Sequence, residues 1–224
     1  MPKDAVSQKA TSRLFHGWWM AIASMVIALP STILFNGFSG FLEPLQATFV
    51  ASTAAVSLAF VLLRAESGFA APVEGFLVDA YGPRPVILAG GLLVGVGTVI
   101  AGSATSLPLF FLGFALMALG GSMAGPTVAN IAAARWFNRY RGRAFALISV
   151  GTPLWSLTIP LLVLAIDTLG WQAAIYGRGF LSMGLIGPLS FVYRRSPEEQ
   201  GLTQDGLPPL PETRSVLGLM GQIG

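Results

Sequence analysis

The chain has 224 residues, of which 54% are hydrophobic and only 10% charged, with a net charge of +3 and a mean hydropathy of +0.70. A water-soluble domain carries about 25% charged residues, so a soluble globular enzyme is excluded, and the high apolar content excludes disorder. A membrane protein remains; with no cysteine and one histidine, disulfides, thiolate chemistry and His- or Cys-built metal centres are excluded and no cofactor is expected.

A helical span needs about 20 apolar residues, and six such stretches follow one another. They run from about Gly17 to Phe41, Ser52 to Tyr81, Arg84 to Ala104, Pro108 to Ala134, Ala144 to Leu169 and Trp171 to Tyr193. A membrane-spanning β-barrel would need short segments of alternating polarity, and runs such as Val86 to Ile100 do not alternate. Lys3, Lys9 and Arg13 precede the first stretch, which is longer than a signal-peptide core and lacks a small-residue cleavage site, so it reads as an uncleaved helix. The expected organisation is a tail over residues 1–16, a six-helix bundle over 17–195 and a linker over 196–224. The linker is polar and Pro-rich at Ser196–Gly201 and Gly206–Pro211, then turns apolar from Ser215 to Gly224, which suggests a product truncated before a further domain.

Eleven of the 13 Lys and Arg residues fall on one side of this arrangement: Lys3, Lys9, Arg13, Arg84, Arg135, Arg139, Arg141, Arg143, Arg194, Arg195 and Arg214. The opposite connections, 42–51, 105–107 and the turn at Gly170, hold none. The positive-inside rule then places both termini in the cytoplasm of a cell whose inner (plasma) membrane the chain crosses several times. The same placement accounts for the basic composition without a nucleic-acid partner.

The second stretch ends in Gly75-Phe-Leu-Val-Asp79-Ala-Tyr-Gly82-Pro-Arg84. Asp79 stands at a helix C-terminus, where the macrodipole disfavours an anion, so it needs a partner. Gly82 permits a tight turn, and Arg84 supplies a nearby cation. The pattern G-x-L-x-D-x-x-G-x-R resembles the signature between helices two and three of the major facilitator superfamily. The resemblance implies an all-α membrane protein whose six transmembrane helices form one major facilitator half, a 3+3 inverted repeat. In that family, this loop and its carboxylate hold the two six-helix halves together on the cytoplasmic side when the transporter faces outward. The resemblance carries that role over to Gly75, Asp79, Gly82 and Arg84, with Pro85 in place of the usual second basic residue.

Further features resemble the bacterial monocarboxylate and oxalate/formate branch of the family: His16-Gly-Trp-Trp19, Arg135-Trp136-Phe137 with Arg141-Gly142, Asp167-Thr-Leu-Gly-Trp171 and the segment Arg195 to Gly206. Leu116 occupies the place of the common arginine of the fourth helix, and Gly151-Thr-Pro153 lacks the glycine-rich run of antiporters. The resemblance implies a secondary active transporter, or its N-terminal half, moving a small organic solute such as a carboxylate anion by alternating access. An inactive truncated fragment and a six-helix channel are the alternatives. The expected partners are the lipid bilayer, a small organic anion, coupled protons or cations, and a missing C-terminal half or a second copy.

Arg64 lies near the middle of the second stretch, where an arginine is costly. It shares a face with Ser57, Gly68, Ala71 and Gly75, which leaves room for water or substrate. The functional reading is a cation that binds a carboxylate bidentately; the structural one is an internal ion pair. Glu66 is the candidate proton- or cation-coupling carboxylate. Glu74, nearer the basic end, is assigned to a structural charge network there. Asn36 and Trp155 are candidates for lining the same cavity, because helices one, two, four and five surround it in the family. Arg178 is expected to snorkel to the outer interface. Gly91–Gly95 and Gly121–Gly125, small-xxx-small pairs, are expected at close helix contacts. Asp79-Ala-Tyr-Gly82 and Asp167-Thr-Leu-Gly170 form a weak internal echo between equivalent helices of the two repeats. A rhomboid-type protease would need a buried histidine beside a serine, whereas His16 lies outside the stretches, so no enzyme is expected. No Asn-Pro-Ala tripeptide of an aquaporin-type channel occurs.

Overall fold

Proline and glycine decide where the apolar stretches break. The computed structural model describes residues 16–195, without the side chains at 30, 31, 33, 34, 59, 62, 63, 65–67 and 69. The tail with Lys3, Lys9 and Arg13 and the linker 196–224 lie outside the described residues. The described chain folds into nine helical segments: α1 (His16–Asn36), α2 (Ser39–Phe49), α3 (Thr53–Tyr81), α4 (Pro83–Gly102), α5 (Leu107–Met123), α6 (Pro126–Trp136), α7 (Arg141–Ser156), α8 (Ile159–Leu169) and α9 (Trp171–Ser190). Among the described residues, three stretches are long and apolar enough to cross a membrane: Pro83–Gly102, Leu107–Trp136 and Arg141–Leu169.

The last two are each broken once. Pro126 has no N–H to give and takes the first position of α6, so the helix stops at Ala124–Gly125 and restarts. Between α7 and α8, Pro160 stands in the first turn of α8, Pro153 lies inside α7, and side-chain hydroxyls add bonds to the carbonyls of the last turn of α7: Ser156 donates to Thr152 O at 3.0 Å and Thr158 to Trp155 O at 2.6 Å. Such repairs let a broken helix persist in lipid. The segment 42–51, expected to be an open connection, is largely helical, because Phe41 and Leu45 lie four apart and bury one face of α2.

The most extensive contacts join α4 to α5, α4 to α9 and α1 to α7. Glycine sets the first. A Cβ on Gly90 would stand 2.6 Å from the Gly120 carbonyl oxygen, and one on Gly97 would stand 2.5 Å from that of Gly113. Both pairs are spaced by seven, two helical turns, so the α4 and α5 backbones touch along one seam. The expected pair Gly91 and Gly95 does mark a close contact, but with α9, through Ile186 and Met183.

Two apolar cores stack along the bundle. One, around Ile27, Ile87, Val128, Trp136 and Ile148, lies toward the basic end. The other, around Leu45, Phe110, Phe114, Met117 and Trp171, lies toward the opposite end. Between them α3 is sparsely packed: among its described side chains only Val56, Glu74 and Val78 are buried. The outer faces carry exposed Leu92, Val96 and Val99 on α4, Leu112 on α5, Leu161 and Leu164 on α8, and Phe180 and Leu181 on α9. That apolar exterior is what a hydrocarbon environment requires.

The two sequence echoes adopt one conformation. Gly82 ends α3 with φ 87° and ψ 166°, its N–H bonded to Val78 O; Gly170 ends α8 with φ 85° and ψ 157°, its N–H bonded to Ile166 O. Both backbones need glycine, and in both cases the next helix begins at the following residue.

Candidate functional site

The turn between α3 and α4 is held from three sides. The Asp79 carboxylate is ion-paired with the Arg135 guanidinium of α6. Arg195 donates to the backbone oxygens of Asp79 at 3.1 Å and Ala80 at 3.4 Å, capping carbonyls that the end of α3 leaves free. Arg84, expected beside Asp79, instead lies over the Phe191 ring at 4.3 Å. The sequence therefore located the anion and misassigned its cation. The sequence signals for Arg135 were its place in the basic segment 135–143 and in the feature Arg135-Trp136-Phe137, and neither pointed to Asp79.

The segment after α9 is tied to the rest by side chains. His16 Nε2 lies 2.8 Å from Val192 O, to which it donates in the tautomer protonated there. Trp136 Nε1 donates to Arg194 O at 3.3 Å, and the Ser24 and Tyr193 hydroxyls share a hydrogen bond of 2.7 Å. These contacts fix Arg195 and hence the turn. A pocket of about 390 Å³ bounded by Arg84, Phe191, Arg194 and Arg195 adjoins it.

The four candidate substrate residues lie farther from the basic end. Arg64 is exposed on α3, its guanidinium 5.2 Å from the centre of the Phe35 ring of α1. Asn36, the next residue of α1, donates to the Ser156 hydroxyl at 3.3 Å. Trp155, beside Ser156, donates its indole N–H to Met25 O at 2.8 Å. The end of α1 thus links Arg64, Asn36 and Trp155 into one neighbourhood where α1, α3 and the α7–α8 break meet. Asn36 and Trp155 also serve the α1–α7 contact through these bonds. Glu66 lies in α3 between Arg64 and Gly68, and its side chain is outside the described ones. The face shared with Arg64 is open: Gly68 is exposed, and a Cβ on Gly68 or Gly75 would meet nothing within 4 Å.

Two charged residues are placed differently from expectation. Arg178 is buried at 6% exposure in α9 and does not snorkel. Glu74 is buried at 2% exposure and belongs to no charge network among the described residues. No cluster of metal-ligating side chains occurs among the described residues.

Apolar faces, broken helices and a charged turn at one end define a multi-pass helical membrane protein. The sequence pattern of the Major Facilitator Superfamily matches residues 17–220, and the chain belongs to that family, whose members are transporters and not enzymes. It is 30% identical to monocarboxylate transporter 11 of Mus musculus over 206 residues, 91% of this chain and 44% of that protein. It is 29% identical to the oxalate:formate antiporter of Oxalobacter formigenes over 197 residues, 86% of this chain and 46% of that one. Its fold is similar to that of the inward-open xylose transporter XylE from E. coli, with a TM-score of 0.62 and 14% identity over 92% of this chain and 54% of that one. The chain spans less than half the length of the curated relatives it matches.

Proposed function

We propose that this chain is one six-helix half of a secondary active transporter that moves a small organic anion by alternating access. The observation that carries the reading is Arg64, an exposed guanidinium on an open face of small residues midway along α3. A planar fork of donors is suited to a carboxylate, and the similarity to proteins named for monocarboxylates, oxalate and formate favours that substrate class. In this reading α1 with α2, α3, α4, α5 with α6, α7 with α8, and α9 are the six spans. The basic ends lie in the cytoplasm, as do both termini. The matched glycine turns at Gly82 and Gly170 support a 3+3 inverted repeat.

Half a cavity does not provide alternating access, so a second six-helix unit is required, as a continuation of the chain or a second copy. Proteoliposomes with the 224-residue chain as a monomer are expected to show no anion uptake, and chains joined to a second unit are expected to show it. Uptake of radiolabelled oxalate, formate or monocarboxylates by the monomer would refute the half-transporter reading.

The Asp79–Arg135 pair acts in this scheme by selecting one arrangement, not by adding much stability. Asp79 keeps 69% of its side chain exposed, and exposed pairs contribute about 0–1 kcal/mol. Asp79→Asn is therefore expected to leave the thermal midpoint nearly unchanged while lowering uptake at least about tenfold, the equivalent of 1.4 kcal/mol on one step of the cycle. The exchange Asp79→Arg with Arg135→Asp is expected to restore part of it. Full uptake in Asp79→Asn would remove the pair from the mechanism.

A further inference from the structure

The pocket beside the glycine turn gathers three cations and no described carboxylate. Arg84, Arg194 and Arg195 line its volume of about 390 Å³ together with exposed Tyr81 and Phe191. Asp79, three residues before Gly82, is taken by Arg135, and no described acidic group pairs with the three arginines. Each arginine is positioned without using up its donors. Arg84 rests on the Phe191 ring at 4.3 Å. Arg195 gives only Nη2 to the Asp79 and Ala80 carbonyls. Arg194 is fixed through its backbone, whose carbonyl accepts from Trp136, and its side chain is exposed. A guanidinium carries five N–H donors, so donors from three residues remain for an oxygen-rich anion.

From the pocket an apolar trough continues along the outside of the bundle. On α4, Arg84 heads a row at helical spacing, Leu88, Leu92, Val96 and Val99, of which the last three are exposed. On α9, Phe180, Gly184, Gly187 and Phe191 share another face, and a Cβ on Gly184 or Gly187 would meet nothing within 4 Å. The two glycines leave a trough between two exposed rings. The helices run antiparallel, since Gly91 meets Ile186, Gly95 meets Met183 and Gly102 meets Tyr176. The two faces converge where Arg84 touches Phe191. A site for an anion followed by a strip for hydrocarbon matches the two parts of a phospholipid.

We propose that the pocket binds the phosphate of an anionic phospholipid whose acyl chain lies in the α9 trough beside the α4 row. Basic pockets at a membrane surface recognise anionic headgroups, and exposed Tyr81 suits the boundary between headgroup and hydrocarbon. The bound lipid ties the α3–α4 turn to the segment after α9, because Arg84 stands on one side and Arg194 and Arg195 on the other. A free phosphate would satisfy the arginines and leave the trough empty, so the trough is what favours the lipid.

Native mass spectrometry of the purified 224-residue chain in detergent tests this. Phosphatidylglycerol and phosphatidylcholine of the same chain length are titrated in turn. Phosphatidylglycerol is expected to be retained at least about fivefold more tightly, the gain from one charge contact at a membrane surface. Arg84→Gln and Arg194→Gln are each expected to remove about that factor and to leave phosphatidylcholine unchanged. Arg84→Lys is expected to keep most of the retention. Both arginines are exposed, so helical circular dichroism should persist; if one variant does not fold, the other carries the test. Gly187→Leu is expected to fill the trough and weaken phosphatidylglycerol without lowering the thermal midpoint in lipid-free detergent.

Equal retention of the two lipids, or full retention of phosphatidylglycerol in both Gln variants, would overturn the site. Displacement of the lipid by inorganic phosphate would assign the pocket to a free phosphate and overturn it too. Glu198 and Glu199 lie outside the described residues; binding seen only after both are changed to Gln would make them the occupants in place of the lipid. A dimer that Gly187→Leu dissociates would give this face to a second copy. Binding is read without any uptake, so these outcomes are independent of the proposed function.

Discussion

Gly113→Leu is expected to prevent the bundle from forming, and Gly113→Ala to lower its thermal midpoint. A Cβ at Gly113 would overlap the Ala101 nitrogen and the Gly97 carbonyl oxygen, and both are backbone atoms of α4. No side-chain rotation relieves that overlap, so the two helices must move apart. Overpacking of this kind costs about 1–3 kcal/mol and at times more, and the seam from Gly90–Gly120 to Gly97–Gly113 is lost with it. Gly184→Ala is the matched control: its Cβ would meet nothing within 4 Å, so no penalty is expected. Thermal scans of the purified variants in one detergent decide the matter. Equal midpoints for Gly113→Ala and Gly184→Ala would show that α4 and α5 do not approach this closely.

The second large effect is expected at Arg64. In the completed transporter Arg64→Ala is expected to lower the apparent affinity for an organic anion about 10- to 100-fold, since a hydrogen bond to a charged group is worth about 1.5–3 kcal/mol. Arg64→Lys keeps the charge and loses the fork, so an intermediate loss is expected. The folded bundle should tolerate both changes, because the side chain is exposed. Uptake measured over a panel of mono- and dicarboxylates tests this, and wild-type kinetics for every anion in Arg64→Ala would exclude Arg64 from the binding site.

Much of the architecture was legible in the residues themselves. Segment hydropathy, proline and glycine at the breaks, and the basic residues collected on one side all act locally, so a linear reading recovers them. The motif from Gly75 to Arg84 was legible for the same reason. Gly82 must adopt a backbone that other residues rarely take, and it does. The connection at 42–51 was misjudged because its helix is short and its apolar face, Phe41 and Leu45, is meaningful only against the core it covers.

Partner choice was not legible. Asp79 and Arg135 stand 56 residues apart, and three other arginines lie close to Arg135 in sequence. Arg84, two residues beyond Gly82, was the nearer cation in sequence, yet its helix turns it onto Phe191. The seven-residue glycine spacing that joins α4 to α5 was visible in both helices, but nothing in one dimension says which two helices meet. Glu74 and Arg178 make the same point for burial, since each was expected in a polar or interfacial setting and each is enclosed.

The sequence by itself determined a helical membrane protein, its family signature and the side on which its charge collects, because each depends on residue type and short spacing. Only the tertiary structure decided that Arg135 answers Asp79 and that Glu74 is sealed between α3 and its neighbours. Ion pairing and desolvation depend on which surfaces close over a group, and those surfaces come from residues far apart in the chain.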